Sequence, residues 1–198
     1  MEPKSVSTQV SAETTTQLDT AVLEFDKVHA DYISNGKHKL NSKWVLWRHS
    51  LTSKDWTLKG YDKIAEFNTV EDFWMVYNDL PSVIFDMWFL MRQDITPRWE
   101  DDINKEGGAF KFRIHESKVD NIWLQLSSYL VSEMMCNTPA DAELISGISI
   151  SPKRNKFATI SVWNLDKTRI GHAVFPNNIE GVDFSRSMYE AHSDRKCG

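Results

Sequence analysis

The chain is poor in the residues that usually announce an enzyme, a metal site or a membrane protein. Of its 198 residues only two are cysteine. They are Cys136 and Cys197, too far apart for a metal-ligand motif, and such sparse use fits a reducing compartment, the cytosol or also the nucleus. The six histidines fall at no metal-binding or catalytic-triad spacing, and the eight glycines form no phosphate-cradling loop and no nucleophile elbow. The sequence therefore predicts no enzyme, no metal and no cofactor. No run approaches the roughly 20 apolar residues of a membrane span. The N-terminus lacks the charged-then-apolar pattern of a secretory signal. An excess of positive charge is also missing. With a net charge of -5 the chain is poorly suited to coating RNA, though a local basic patch would let it hold one RNA end.

What is present is an ordinary globular composition, 41% hydrophobic and 26% charged, with eight tryptophans, several times the usual share. Residues 1 to about 20 are rich in Ser, Thr, Gln and Glu and read as disordered, and Ala21–Tyr32 carries the spacing of a marginal helix. The expected organisation is a mostly disordered extension over 1–36 and one domain over 37–198.

Within that domain Lys43–Trp47 reads as a strand. Thr69 with Asp72 opens a helix whose apolar residues Phe73, Trp74, Tyr77 and Leu80 keep helical spacing up to Pro81. Ile84–Met91 reads as a buried strand. After Gly107-Gly108 a strand alternates, with Phe110, Phe112 and Ile114 on one face and Lys111 and Arg113 on the other. Ser117 and Asp120 are expected to cap a second helix with Val119, Ile122, Trp123, Leu126 and Leu130 inward. Strands follow over Ile145–Ser151 and Ala158–Trp163, the second placing Thr159, Ser161 and Trp163 opposite Ala158, Ile160 and Val162. Asp166–Phe175 reads as a third helix and Val182–Tyr189 as a last strand. The fold class is α+β: an antiparallel sheet with helices on its apolar face and an open, polar, tryptophan-bearing face for a ligand. Trp44, Trp47, Trp88 and Trp123 are expected in the core.

Trp56 and Trp99 instead sit in polar, turn-like segments, Ser53-Lys54-Asp55-Trp56 and Pro97-Arg98-Trp99-Glu100-Asp101-Asp102. A basic run, Lys153, Arg154 and Lys156, leads to Trp163. Exposed indoles beside a carboxylate and a basic strip suit a flat cationic base carrying phosphates, and 7-methylguanosine, the 5′ cap of eukaryotic mRNA, has that description. Methylation at N7 makes guanine a delocalised cation, and a desolvated cation on an indole gains on the order of 2 kcal/mol. A carboxylate matches guanine's adjacent N1–H and N2–H donors in charge-assisted bonds of about 1.5–3 kcal/mol. Adenine, with an acceptor at N1, is repelled.

Taken together, Trp44-Val-Leu-Trp47, Thr69-Val-Glu-Asp-Phe-Trp74, Pro97-Arg-Trp-Glu-Asp-Asp102 with Asn104-Lys105 and Gly107-Gly108, and Trp123-Leu124 resemble the eukaryotic translation initiation factor 4E family of mRNA cap-binding proteins, from about His38 to His192. The resemblance implies a curved antiparallel sheet with three helices on the convex face and the ligand site on the concave face. It implies Trp56 and Trp99 as the stacking pair, Glu100 as the guanine reader and Trp163 against the N7-methyl. Lys153, Arg154, Lys156 and Arg113 become the candidates for the cap phosphates; Ala109 stands where the family often has a basic residue, and Lys111 is a further substitute. The implied partners are the capped mRNA, a 4G-type scaffold and 4E-binding regulatory proteins that dock a helix at His38, Val70, Trp74, Leu124 and Gln125. Apart from the scaffold the protein is expected to be a cytoplasmic monomer. Lys39, Gln125 and Ser128 depart from the usual Pro, Glu and Leu. These departures resemble the divergent isoforms of trypanosomatid protists, which implies a hypermethylated cap as ligand. They also leave open a cap-binding repressor or adaptor that does not engage the scaffold.

Overall fold

Side-chain alternation along seven strands divides the molecule into two apolar layers, one under the helices and one open to a cleft. The computed structural model describes residues 36–136, 138–172, 179 and 182–195. The expected disordered extension, the marginal helix Ala21–Tyr32, residues 173–175 of the expected third helix, Lys196 and Cys197 lie outside the described residues.

The strands are β1 (Lys39–His49), β2 (Tyr61–Thr69), β3 (Met87–Arg92), β4 (Gly108–His115), β5 (Ile145–Lys153), β6 (Phe157–Asn164) and β7 (Met188–Ala191). They form one curved sheet in the order β2-β1-β3-β5-β6-β4-β7. The pairings β1 with β3, β3 with β5, β5 with β6, β6 with β4 and β4 with β7 are all antiparallel. A bulge between Ile145 and Gly147 sets the β5–β6 register. The α-helices are α1 (Val70–Asn78), α2 (Val119–Val131) and α3 (Pro139–Leu144).

On the helix side, Trp44 and Leu46 of β1, Trp88 and Leu90 of β3, Phe110, Phe112 and Ile114 of β4, and Ala158, Ile160 and Val162 of β6 share one core. Phe73 of α1 and Val119, Ile122, Trp123, Leu126 and Leu130 of α2 pack into it. Trp44, Trp88 and Trp123 are in that core as expected. Trp47 is not. As the odd neighbour of Leu46 in a strand it points to the opposite face, where it packs half-buried with Met87, Phe89 and Trp163.

Several local expectations need correction. No clear pattern announces β2, and β3 starts later than its apolar run, because Val83–Phe85 is a single 3-10 turn. Thr69 caps α1 by accepting from the Asp72 N–H at 3.2 Å. Neither Ser117 nor Asp120 caps α2. His115 accepts the Ser117 N–H at the preceding turn, and Asp120 accepts the Val83 N–H at 2.9 Å, tying α2 to the turn before β3. The third helix is not Asp166–Phe175: its described part is a 3-10 stretch, Lys167–His172, kinked at Arg169. The third α-helix of the described residues is α3, announced by a Thr138 cap, Pro139 at the first helical position and Asp141 two residues on. The last strand shrinks to Met188–Ala191, behind a 3-10 turn at Phe184–Arg186.

Two loops at one end of the sheet border the cleft: the β1–β2 loop, residues 50–60, and the β3–β4 loop, residues 93–107. Gly107 closes the second. A Cβ there would lie 1.9 Å from the Asn164 carbonyl oxygen, so only glycine lets β4 start this close to β6.

Candidate functional site

On the face away from the helices the sheet and the two loops enclose an open cavity of about 620 Å³. Trp56, Trp99, Glu100 and Trp163 all line it, as do Lys111, Lys153 and Arg195.

Trp56 is half exposed, yet its loop is held on every side. Its indole stacks on the buried imidazole of His49, ring centroids 4.2 Å apart and planes 9° from parallel. The His49 ring in turn lies 4.7 Å from Tyr61. With its Nε2–H directed at the Asp55 carbonyl at 3.0 Å, His49 anchors the backbone next to Trp56. The Asp55 carboxylate accepts the Thr57 N–H at 2.8 Å and the Thr57 hydroxyl at 2.7 Å, and these bonds hold its pKa below the ordinary value. Gly60 passes so close to the Asp55 carbonyl that a Cβ would sit 1.9 Å from it. One indole face is thus covered by His49 and the ring is set before any ligand arrives.

The second loop is built on Asn104, which is fully buried. Its Nδ2 donates to the Thr96 carbonyl at 3.0 Å and to the Arg98 carbonyl at 2.7 Å, bracketing Pro97 and presenting Trp99 and Glu100 to the cavity. Arg98 pairs with Asp101 at 3.0 Å and reaches Glu100 only at 3.4 Å. The Glu100 carboxylate is one-third exposed, 32%, so most of its acceptor capacity faces the cavity and solvent. Burial, together with the nearby Glu100 charge, pushes the Tyr61 phenol up to about 12.

Trp163 forms the floor. It is 3% exposed, its Nε1–H donates to Ser149 Oγ at 2.9 Å, and it meets Phe89 and His192 edge-on at 6.3 and 4.8 Å. His192 is buried beneath it, bonded through Nδ1 to the Asn104 carbonyl at 2.8 Å, and burial lowers its pKa to about 4.

The charged end is arranged differently from the expectation. Lys153 lines the cavity, but Arg113, Arg154 and Lys156 do not. Arg154 and Lys156 are exposed in the β5–β6 turn, and the Arg113 guanidinium lies over the Phe157 ring at 3.8 Å. Lys111 and Arg195 enter instead. Both are held by the Glu190 carboxylate, Arg195 through Nε at 2.8 Å. Arg195 also stands 5.8 Å from the Trp99 ring centre and 5.9 Å from that of Trp163. Burial raises the Glu190 pKa, but its bonds to Lys111 and Arg195 outweigh that and leave it below the ordinary value. Lys153 is lowered by burial and then by Lys111. This end of the cavity therefore holds crowded cations that an anionic ligand would relieve.

On the other face, Val70 and Trp74 of α1 are 37% and 43% exposed, while Leu124 and Gln125 of α2 are partly buried. His38 is exposed just before β1. Leu124 also borders a shallower groove of about 290 Å³ with Tyr77, Leu80 and Asp120.

The site residues that sequence reasoning missed are supporting ones. His49 and Asn104 carry no chemical signal at their positions, and Glu190 is joined to Lys111 only by the β4–β7 pairing. In the sequence Arg195 opens a basic tail, Arg195-Lys196, which reads either as reaching RNA beyond the cap or as a fraying end, with nothing to place it in the cleft.

Residues 39–195 match the family model for eukaryotic initiation factor 4E. Translation initiation factor 4E of Eremothecium gossypii is 32% identical over 136 residues, 64% of this chain and 62% of that protein, so this chain spans about three fifths of that relative's length. Among solved structures, Ascaris suum 4E-3 in complex with the m2,2,7G cap has a TM-score of 0.64 at 27% identity, covering 82% of this chain and 95% of that one. The complex of Caenorhabditis elegans 4E-3 with the 4E-binding protein Mextli and a cap analog has a TM-score of 0.61 at 28% identity, covering 68% and 78%.

Proposed function

The chain belongs to the eukaryotic initiation factor 4E family, and on that premise we propose that it binds the 7-methylguanosine 5′ cap of mRNA and brings it to the translation initiation machinery through a 4G-type scaffold. The observation that carries this is the convergence of Trp56, Trp99, Trp163 and Glu100 on one cavity whose other end holds Lys111, Lys153 and Arg195. The cationic base stacks between Trp56 and Trp99. Glu100 accepts from its N1–H and N2–H, and Trp163 meets the N7-methyl. The phosphates take their charge from Lys153, Lys111 and Arg195, with Glu190 keeping the last two in place. Arg113, Arg154 and Lys156 are left for a different part of the ligand.

Such a site binds and does not react: stacking planes, acceptors and cations are all it needs. The protein is then a binding factor working in the cytoplasm, not an enzyme, with the cap-binding domain spanning 37–198. The relatives solved with a cap or cap analog and with a 4E-binding protein support both kinds of partner, the cap and a 4E-binding protein.

A cap-binding repressor that does not engage the scaffold is the alternative function. Ser128 favours it: its hydroxyl donates to the Leu124 carbonyl at 2.9 Å and offers no apolar contact where the family commonly has Leu.

Retention on immobilised 7-methyl-GTP tests the cavity and the helix face together. Trp99→Ala and Glu100→Ala are expected to be lost from the resin while remaining folded by circular dichroism. Trp74→Ala is expected to stay on the resin but no longer to carry a scaffold-derived helix with it. Normal retention of the first two variants refutes the cavity assignment, and wild-type capture of the helix by the third refutes the helix-face assignment.

A further inference from the structure

The cavity does not end at the cap phosphates; its floor continues along three strands to the β5–β6 hairpin. On β6 the residues Trp163, Ser161, Thr159 and Phe157 share the cleft face, as strand alternation requires. In register beside them stand Lys111, Arg113 and His115 of β4, opposite Ser161, Thr159 and Phe157. On the other flank lie Ser149, Ser151 and Lys153 of β5, opposite the same three β6 residues. From Trp163 to Phe157 this lane runs about 20 Å, six residues at the strand rise. The enclosed cavity covers it only as far as Thr159, Ser151 and Lys153.

Beyond that point the lane changes character. The Phe157 ring lies beneath the Arg113 guanidinium at 3.8 Å and meets His115 edge-on at 5.5 Å. Arg154 and Lys156 are exposed in the turn that leads into Phe157. Asn155 and Lys156 take left-handed φ values of 72° and 62°, which make this turn tight. Among the described residues no carboxylate pairs with Arg113, Arg154 or Lys156. Glu116 meets the turn through its backbone, its N–H donating to the Lys156 carbonyl at 2.9 Å. In a chain of net charge -5, three such cations on one hairpin and the strand beside it run against the overall balance.

Resting on the cap reading, we propose that this lane holds the first transcribed nucleotides of the mRNA, their phosphates running past Lys153, Arg154 and Lys156 and a base stacking on the Arg113–Phe157 platform. Single-stranded RNA is held by this combination of a cationic track and an aromatic or guanidinium plane on which an unpaired base lies flat. Continuity fixes the direction. A cap base between Trp56 and Trp99, with its phosphates at Lys111 and Lys153, leaves the following nucleotide at the cavity's open end, where the platform begins. Stacking tolerates any base, so the lane adds affinity without reading sequence.

Titration of the full chain with two ligands tests it: 7-methyl-GTP, which carries no transcribed nucleotide, and the 7-methylguanosine cap joined through its triphosphate to five ribonucleotides. The extended ligand is expected to bind roughly fivefold tighter or more, the gain of one stacked base. Its affinity is also expected to fall more steeply with salt, because it makes added phosphate contacts. Arg113→Ala, an exposed position, and Arg154→Ala with Lys156→Ala should each remove most of that gain while 7-methyl-GTP binds within about twofold of wild type. Phe157→Leu, which keeps an apolar side chain in the hairpin, should remove the stacking part. If 7-methyl-GTP binds and the added ribonucleotides contribute nothing, or if the gain survives in all these variants, the lane is not an RNA site. If neither ligand binds, the cap reading itself falls, and the lane with it.

Discussion

His49 does for Trp56 what no residue in its own loop can: it supplies a flat surface behind the indole and a donor to the neighbouring Asp55 carbonyl. An exposed tryptophan without that backing has several rotamers to lose on binding, and the entropy of ordering it opposes the stack. His49→Ala is expected to weaken 7-methyl-GTP binding about three- to tenfold, in line with one lost aromatic contact, while His49→Phe retains most of the affinity. Fluorescence titration measures both, and equal loss in the two variants would show that the ring stack is not what matters. Of the residues around the base, the legible ones in the sequence are those out of place: tryptophans among polar turn residues, beside a carboxylate. His49 is not legible, because nothing in a lone histidine at a strand end says what lies across the loop. Arg113, Arg154 and Lys156 are legible as basic but not as to position. Which cations enter a cleft depends on how the β5–β6 hairpin turns and on which strand lies beside β4.

Secondary elements are readable where their period is strong and their ends are marked. The cap and periodicity of α1, the inward face of α2 and the alternation of β4 and β6 all follow from local pattern. Failures come where a side chain serves a distant element. Asp120 has the sequence position of a helix cap, yet its carboxylate accepts the buried Val83 N–H, 37 residues away in the chain. Asp120→Ala leaves that donor without a partner in the core, and a loss of about 1–3 kcal/mol in urea unfolding is expected. A loss below about 0.5 kcal/mol would mean that the turn before β3 does not depend on this bond. The absent third helix at Asp166 and the unread α3 have a related cause. The Asp166–Phe175 stretch reads as a helix that Pro176 would end, while the signal for α3 is a Thr-Pro-x-Asp start on a helix of six residues, too short to show periodicity.

At the scale of the whole molecule the sheet separates two tasks, with a packed core and an exposed helix face on one side and a charged, aromatic cleft on the other. On the cleft side, below Trp163, buried His192 is kept neutral: burial takes its pKa from the ordinary 6.5 to about 4. Between those values the unfolded chain takes up a proton that the folded chain refuses. Stability is therefore full above about pH 6.5 and declines as the pH falls toward 4. Urea midpoints at pH 7 and pH 5 should show the decline, and His192→Gln should flatten its share of it. The central claim concerns the cleft itself, that its indoles select a cationic guanine. Side-by-side titration of the intrinsic tryptophan fluorescence with 7-methyl-GTP and with GTP tests this most directly. Much stronger quenching and tighter binding by 7-methyl-GTP is the expected result, because only the methylated base carries the charge that the indole faces attract. Equal quenching and equal affinity for the two nucleotides would contradict it.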